Sequence, residues 1–231
     1  HILRLLLPGL ICFFPYFCAA QLKAGVGKID ITDYQSGPAN DTLFVKALVL
    51  DDGSTKMVII TLDVVAIAEI GPIKGDYLGE VRKGLQKEVN IHPSHVLINV
   101  SHCHGVVRED VAQLTIRAVK LATSSMVPVL VGVGKGFENR IMENRRYLMK
   151  DGSQVDVRRA YALPPDEEIA AIGPVDPEIG IVRFDQKNGK TLAVLYNFAV
   201  HPIEGVPNGG NTADIIGFAS KVIESNLSGA T

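Results

Sequence analysis

Tryptophan is absent and cysteine is scarce: there are three cysteines, and Cys12 and Cys18 fall within the first twenty positions. Without that stretch Cys103 stands alone, no internal disulfide can form, and the fold must rest on its core. Charge of either sign is not in excess. A formal net charge of −2 offers no basic field to draw in a nucleic-acid backbone. Nucleic acid is therefore not an expected partner, whereas a small or uncharged substrate and local contact with lipid remain open. Repeats and low-complexity tracts are also missing. What remains is an ordinary globular balance of 47% hydrophobic and 21% charged residues, with eight Phe and six Tyr for bulk. A chain of 231 residues suits one large domain or two small ones.

One apolar run stands out. Leu5 to Phe17 follows a single Arg4 and precedes Cys18-Ala19-Ala20, the order of the n-, h- and c-regions of a secretory signal peptide. It is short for a membrane span, and Pro8 and Pro15 interrupt it. Residues 1–20 are expected to be a leader and 21–231 the domain, secreted or periplasmic; the alternatives are a membrane anchor or a buried N-terminal helix. The chain opens on His1, not Met, which reads as a start inside a longer coding sequence.

Beyond Gln21, short β-rich runs alternate with helical spacings. Phe44 to Leu50 and Met57 to Val65 predict two strands joined as a hairpin through Asp51-Asp52-Gly53, the second apolar on both faces and hence central. Leu78, Val81, Leu85 and Val89 recur at steps of three and four, predicting an amphipathic helix over Tyr77 to Val89. A strand over Val96 to Val100, a helix over Val111 to Ala122 and a strand over Val127 to Val133 follow. Gly180 to Phe184 and Thr191 to Phe198 predict a hairpin turning at Asn188-Gly189, and Asp214 to Leu227 a last helix. Tyr161 to Pro177, rich in proline and acid, reads as a surface loop or a short linker. The pattern predicts a layered α/β fold, a mixed sheet flanked by helices.

Chemistry-bearing residues gather at strand ends. His102 and His104 follow one apolar strand and His201 follows another, where α/β folds place functional groups. On a continuing strand His102 and His104 would share one face. Gly105 suggests a bend instead, with one imidazole for a metal and the other for a substrate. If the two strands are neighbours, three imidazoles meet, and neutral imidazole suits zinc. The plain alternative is three unrelated loop histidines. Cys103 lies between the first two as a possible third ligand or nucleophile, its side chain facing away from theirs on extended backbone. His92 and His95 read as surface residues.

The order of these pieces resembles the N-terminal catalytic domain of the neutral/alkaline, non-lysosomal ceramidase family. Ala24-Gly25-Val26-Gly27-Lys28-Ile29-Asp30-Ile31-Thr32 is similar to that family's opening Ala-Gly-x-Gly-x-x-Asp-Ile-Thr segment. His102-Cys103-His104-Gly105 is similar to its His-Thr-His-Ser-Gly-Pro motif, and Asn197-Phe198-Ala199-Val200-His201 to its second histidine segment. Asn144-Arg145-Arg146-Tyr147 and Gly173-Pro174-Val175-Asp176-Pro177-Glu178 are similar to segments of bacterial members. Gly105-Val106-Val107 departs from the family's Ser-Gly-Pro, and against the resemblance this implies a differently shaped substrate mouth.

The resemblance implies a zinc-dependent amidohydrolase of N-acyl sphingoid lipids, with His102 and His201 as zinc ligands. It implies that His104 positions the substrate amide or holds the developing oxyanion. It also implies that an arginine, Arg145 in preference to Arg146, points a fixed cation into the pocket. Without the family, either arginine reads as a surface cation. Asp214 is either a supporting partner of the site or the N-cap of the last helix. The family completes its zinc site with a Glu and a Tyr well beyond the second histidine, and Thr231 precedes both, which implies an incomplete domain. The rival classes are a non-catalytic ligand-binding module and a hydrolase of another amide or ester.

Overall fold

The computed structural model describes residues 21–68, 73–157, 163–202 and 211–231. The expected leader, including Leu5 to Phe17, lies outside them. Strands β1 (Lys23–Asp30), β2 (Phe44–Asp51) and β3 (Lys56–Leu62) form an antiparallel meander. Helix α1 (Tyr77–Val89) then crosses over to β4 (Val96–Val100), which pairs parallel to β3. A parallel neighbour needs such a crossover, and α1 supplies it.

Helix α2 (Val111–Ser124) leads to β5 (Val127–Phe137). After β6 (Arg146–Met149), β7 (Gln154–Asp156) and β8 (Ile169–Ile172), the strands β9 (Glu178–Gln186) and β10 (Thr191–Phe198) precede helix α3 (Asp214–Asn226). The main sheet has seven strands in the order β10-β9-β5-β1-β2-β3-β4, and β7-β6-β8 form a small second sheet. The architecture is layered α/β, with a mixed sheet flanked by helices.

Both expected hairpins form. Val45 to Asp51 pairs with Lys56 to Leu62, and β9 pairs with β10 around Gly189, whose φ is +84°. Asn-Gly suits this turn because glycine adopts positive φ without a Cβ clash. Between β2 and β4, β3 is central as expected, but only Val58, Ile60 and Leu62 are fully buried. Its other face, with Ile59 and Thr61, borders a cavity. The expected Tyr161–Pro177 loop is corrected in part: it contains a 3-10 turn at Asp166–Glu168 and strand β8, while 158–162 lie outside the described residues.

The main core lies between the sheet and the helices α1 and α2, where Val81, Leu85, Ala118, Val119 and Ala122 are fully buried against Val45, Val49, Val58 and Ile60. Each large aliphatic side chain contributes about 1.5–3 kcal/mol on burial. An exposed ion pair such as Lys120–Glu88 between the helices adds at most about 1 kcal/mol, so apolar burial sets the layer. Gly25 and Gly27 have a packing reason: a Cβ at either would run into the backbone carbonyl of Ala122 or Ala118 on α2.

A second, smaller core shows how the sheet closes on itself. Ala24 of β1 and Leu48 of β2 pack with Phe184 of β9 and Ala193 of β10. The β1–β5 ladder has only two residue pairs, Lys23–Pro128 and Ala24–Val127. Beyond that narrow join, β5-β9-β10 turn over the face opposite α1 and α2.

Candidate metal centre

Strand β4 ends at Val100, where Ser101 N–H still donates to the Leu62 carbonyl. Ser101 Oγ also donates to Asp63 Oδ1 at 3.0 Å, and Phe44 N–H donates to Asp63 Oδ2 at 2.9 Å. The buried carboxyl thus ties the ends of β2, β3 and β4 together, and burial raises its pKa. The chain turns at the next residue, where His102 has a φ of +59°. Non-glycine residues seldom adopt this conformation, and it occurs where the surroundings hold it. The bend therefore falls at His102, before Gly105. His102 and His104 do not share a strand face.

The turn sends the two rings to different partners. His102 Nδ1 lies 2.6 Å from the Val65 carbonyl oxygen. A carbonyl only accepts, so Nδ1 carries the proton and the neutral ring keeps its Nε2 lone pair. That Nε2 stands 3.1 Å from His201 Nε2. Zinc–nitrogen bonds of about 2.05 Å at a tetrahedral angle separate two nitrogens by about 3.3 Å. The pair thus fits one zinc ion within a few tenths of an ångström. A histidine that donates its other N–H to a backbone carbonyl is the usual arrangement of a metal-ligating imidazole. Burial, followed by the Arg145 guanidinium and the two neighbouring imidazoles, holds the pKa of His201 below the ordinary imidazole value. This favours the neutral, ligating ring.

His104 stands near this pair, its ring centroid 6.2 Å from that of His102 and 6.0 Å from that of His201. Its backbone N–H and its Nδ1 both lie within hydrogen-bonding distance of Asp214 Oδ2, at 2.8 and 3.0 Å. Asp214 is fully buried at the first position of α3, whose N-cap is Ala213. The N-cap expectation is thereby corrected: Ala213 holds that position, and the Asp214 carboxylate turns to His104. The backbone approaches closely at Gly105, where a Cβ would strike Leu43.

Cys103 does not join the histidines. It is fully buried in the main core, and burial with the nearby carboxylates of Asp63 and Asp214 pushes its thiol up to about 12. Neither a ligand nor a nucleophile fits that setting. His92 and His95 are exposed on the 3-10 turn Pro93–His95 and its flank, as expected. Arg145 and His201 line a cavity of about 420 Å³ with Ile141, Leu163, Pro174 and Val175. Arg146 is turned elsewhere, its Nε donating to Asp156 Oδ1 at 3.2 Å on the exposed surface. His102 borders a second cavity of about 290 Å³ between α3 and the sheet.

Among the described residues, no group of three or more His, Cys, Asp and Glu side chains is arranged around a common metal position. The described donors are the two facing nitrogens. Sequence reasoning missed the Val65 carbonyl, because backbone acceptors leave no residue signature, and it did not reveal Asp63 as the tie beneath the site. Among the described residues no helix is long and apolar enough to cross a membrane.

The chain matches no protein-family model. Its fold is similar to a crystal structure of neutral ceramidase from Pseudomonas aeruginosa, with a TM-score of 0.65 and 17% identity, over 92% of this chain and 38% of that one. It is also similar to a ceramidase complexed with C2, with a TM-score of 0.67 and 17% identity, over 90% of this chain and 36% of that one. The chain thus spans well under half the length of either. At this identity the likeness is one of backbone architecture, and the chain carries a neutral-ceramidase fold over most of its own length.

Proposed function

We propose that this chain is a ceramidase-like zinc hydrolase domain that cleaves the amide bond of N-acyl sphingoid lipids. The observation that carries the reading is the facing pair His102 Nε2 and His201 Nε2, 3.1 Å apart, with the His102 tautomer set by Val65. The ceramidase-like fold makes a ceramide-like lipid the substrate class of choice, met at a membrane surface.

His102 and His201 would hold the zinc. When bound, zinc acidifies water and polarises an amide carbonyl. Arg145 brings a fixed positive charge to the cavity beside His201, where it offsets the negative charge that develops on the amide oxygen. His104 stands close enough to serve the same reacting centre. Ile141, Leu163, Pro174 and Val175 give the cavity apolar walls for part of a lipid substrate. We also propose export of the protein, directed by residues 1–20 and read out as an intact mass lacking Leu5 to Phe17.

One observation favours a second reading, a ligand-binding module without turnover: two described donors fill only half of a four-coordinate zinc site. The test is zinc stoichiometry by elemental analysis, with hydrolysis of an N-acyl sphingoid assayed on the same zinc-loaded chain. Zinc-dependent release of the free base supports the hydrolase. Lipid binding with no release supports the module. A chain that takes up no zinc defeats the metal reading.

A further inference from the structure

We infer that Asp214 is the positioning residue of His104, holding its ring in the Nδ1–H tautomer and leaving Nε2 as the lone-pair nitrogen. The two contacts to one carboxylate oxygen, from the backbone N–H at 2.8 Å and from Nδ1 at 3.0 Å, fix both the peptide and the ring of the same residue. A carboxylate only accepts, so Nδ1 supplies the proton. The partner of one ring nitrogen decides the state of the other.

Asp214 is itself held in place. Its φ is +52°, a backbone state that persists where neighbours enforce it. Its N–H donates to Thr212 Oγ1 at 3.0 Å, and that hydroxyl donates to Asp41 Oδ2 at 2.9 Å. Asp41 also accepts from the Ala213 N–H through Oδ1. The loop before β2 thus sets the carboxylate that sets the imidazole. This arrangement reassigns His104. With Nδ1–H engaged, a neutral ring accepts a proton at Nε2 and has no N–H there to give an oxyanion. Anion stabilisation is thereby left to Arg145.

The catalytic consequence rests on the proposed hydrolase, but the tautomer does not. Imidazole 15N NMR of the full chain at about pH 8, above the ordinary imidazole range, reads it directly, with His104 assigned by its loss in His104→Gln. The expected wild-type spectrum has a protonated Nδ1 and a pyridine-like Nε2, and Asp214→Asn shifts that pattern. An Nε2–H tautomer in the wild type would overturn the inference, even if the variant failed to fold. So would an unchanged pattern in folded Asp214→Asn. In the hydrolysis assay Asp214→Asn is expected to lower kcat at least about tenfold with KM within about twofold, the scale of a catalytic imidazole held in the wrong tautomer, and with zinc uptake retained. Loss of zinc as complete as in His102→Ala would instead mark a structural role and overturn the assignment. Absence of turnover in the wild type, with the Nδ1–H tautomer present, would sink the hydrolase reading and leave the positioning intact.

Discussion

The Nε2 atoms of His102 and His201 face each other at 3.1 Å, although the strands that deliver them, β4 and β10, are the outermost strands of the seven-stranded sheet. Among the described residues no ladder joins these strands, so the imidazoles come together without their strands being sheet neighbours. The rings meet because the sheet closes across the narrow β1–β5 join. The smaller core of Leu48, Phe184 and Ala193 holds that closure.

Replacing His102 or His201 with Ala is expected to abolish zinc uptake, whereas His92→Ala leaves it unchanged. The loss should exceed the roughly 10- to 100-fold that removal of a supporting partner costs, because half the described donor set is gone. Zinc titration of the three variants reads the difference. Equal uptake by wild type and His201→Ala would show that the pair is not the site.

Cys103→Ala should leave zinc affinity within about twofold and cost about 1 kcal/mol of stability, the scale of one small buried group. Native Cys103 should also resist alkylation until the chain unfolds, since its thiol is buried and raised to about 12. Peptide mapping after a timed alkylation checks the second point. A tenfold drop in zinc affinity would place the sulfur in the site after all.

Gly25→Ala and Gly27→Ala each drive a methyl into a backbone carbonyl of α2. Overpacking of this kind costs about 2–3 kcal/mol, a fall in Tm of roughly 4–12 °C for a chain of this size. Gly134→Ala in β5 meets open space and should leave Tm unchanged within about 2 °C. Thermal denaturation of all three separates packing from backbone preference.

Asp63 contributes one identifiable part of the pH dependence of stability. Burial raises its pKa in the folded chain above the ordinary value of 3.8, so the folded state binds this proton more tightly than the unfolded one. Its contribution to stability is therefore full below pH 3.8 and is lost as pH rises through the folded value. Asp63→Asn, which can still accept from Phe44 N–H and donate to Ser101 Oγ, should flatten that part of the Tm–pH curve. A variant curve parallel to the wild type over the whole range would exclude Asp63 as its source.

Much of the scaffold was legible in local pattern. Helical spacing marked α1, Asn188-Gly189 marked the β9–β10 hairpin, and apolar runs marked β4 and β10, because each of these depends on residues a few positions apart. The small sheet was not legible: β6, β7 and β8 are three or four residues long and carry no sustained alternation. The sequence also placed His102, His104 and His201 at strand ends, since an apolar run followed by a polar residue is a local signal. It did not determine which imidazole would face which. That depended on the left-handed turn at His102 and on the closure of the sheet that carries His201 across. The pairing of His104 with Asp214 spans 110 residues, and only the folded chain brings the start of α3 to the segment after β4. Periodicity describes neighbours along the chain, and the chemistry of this site is made by groups that become neighbours only when the chain has folded.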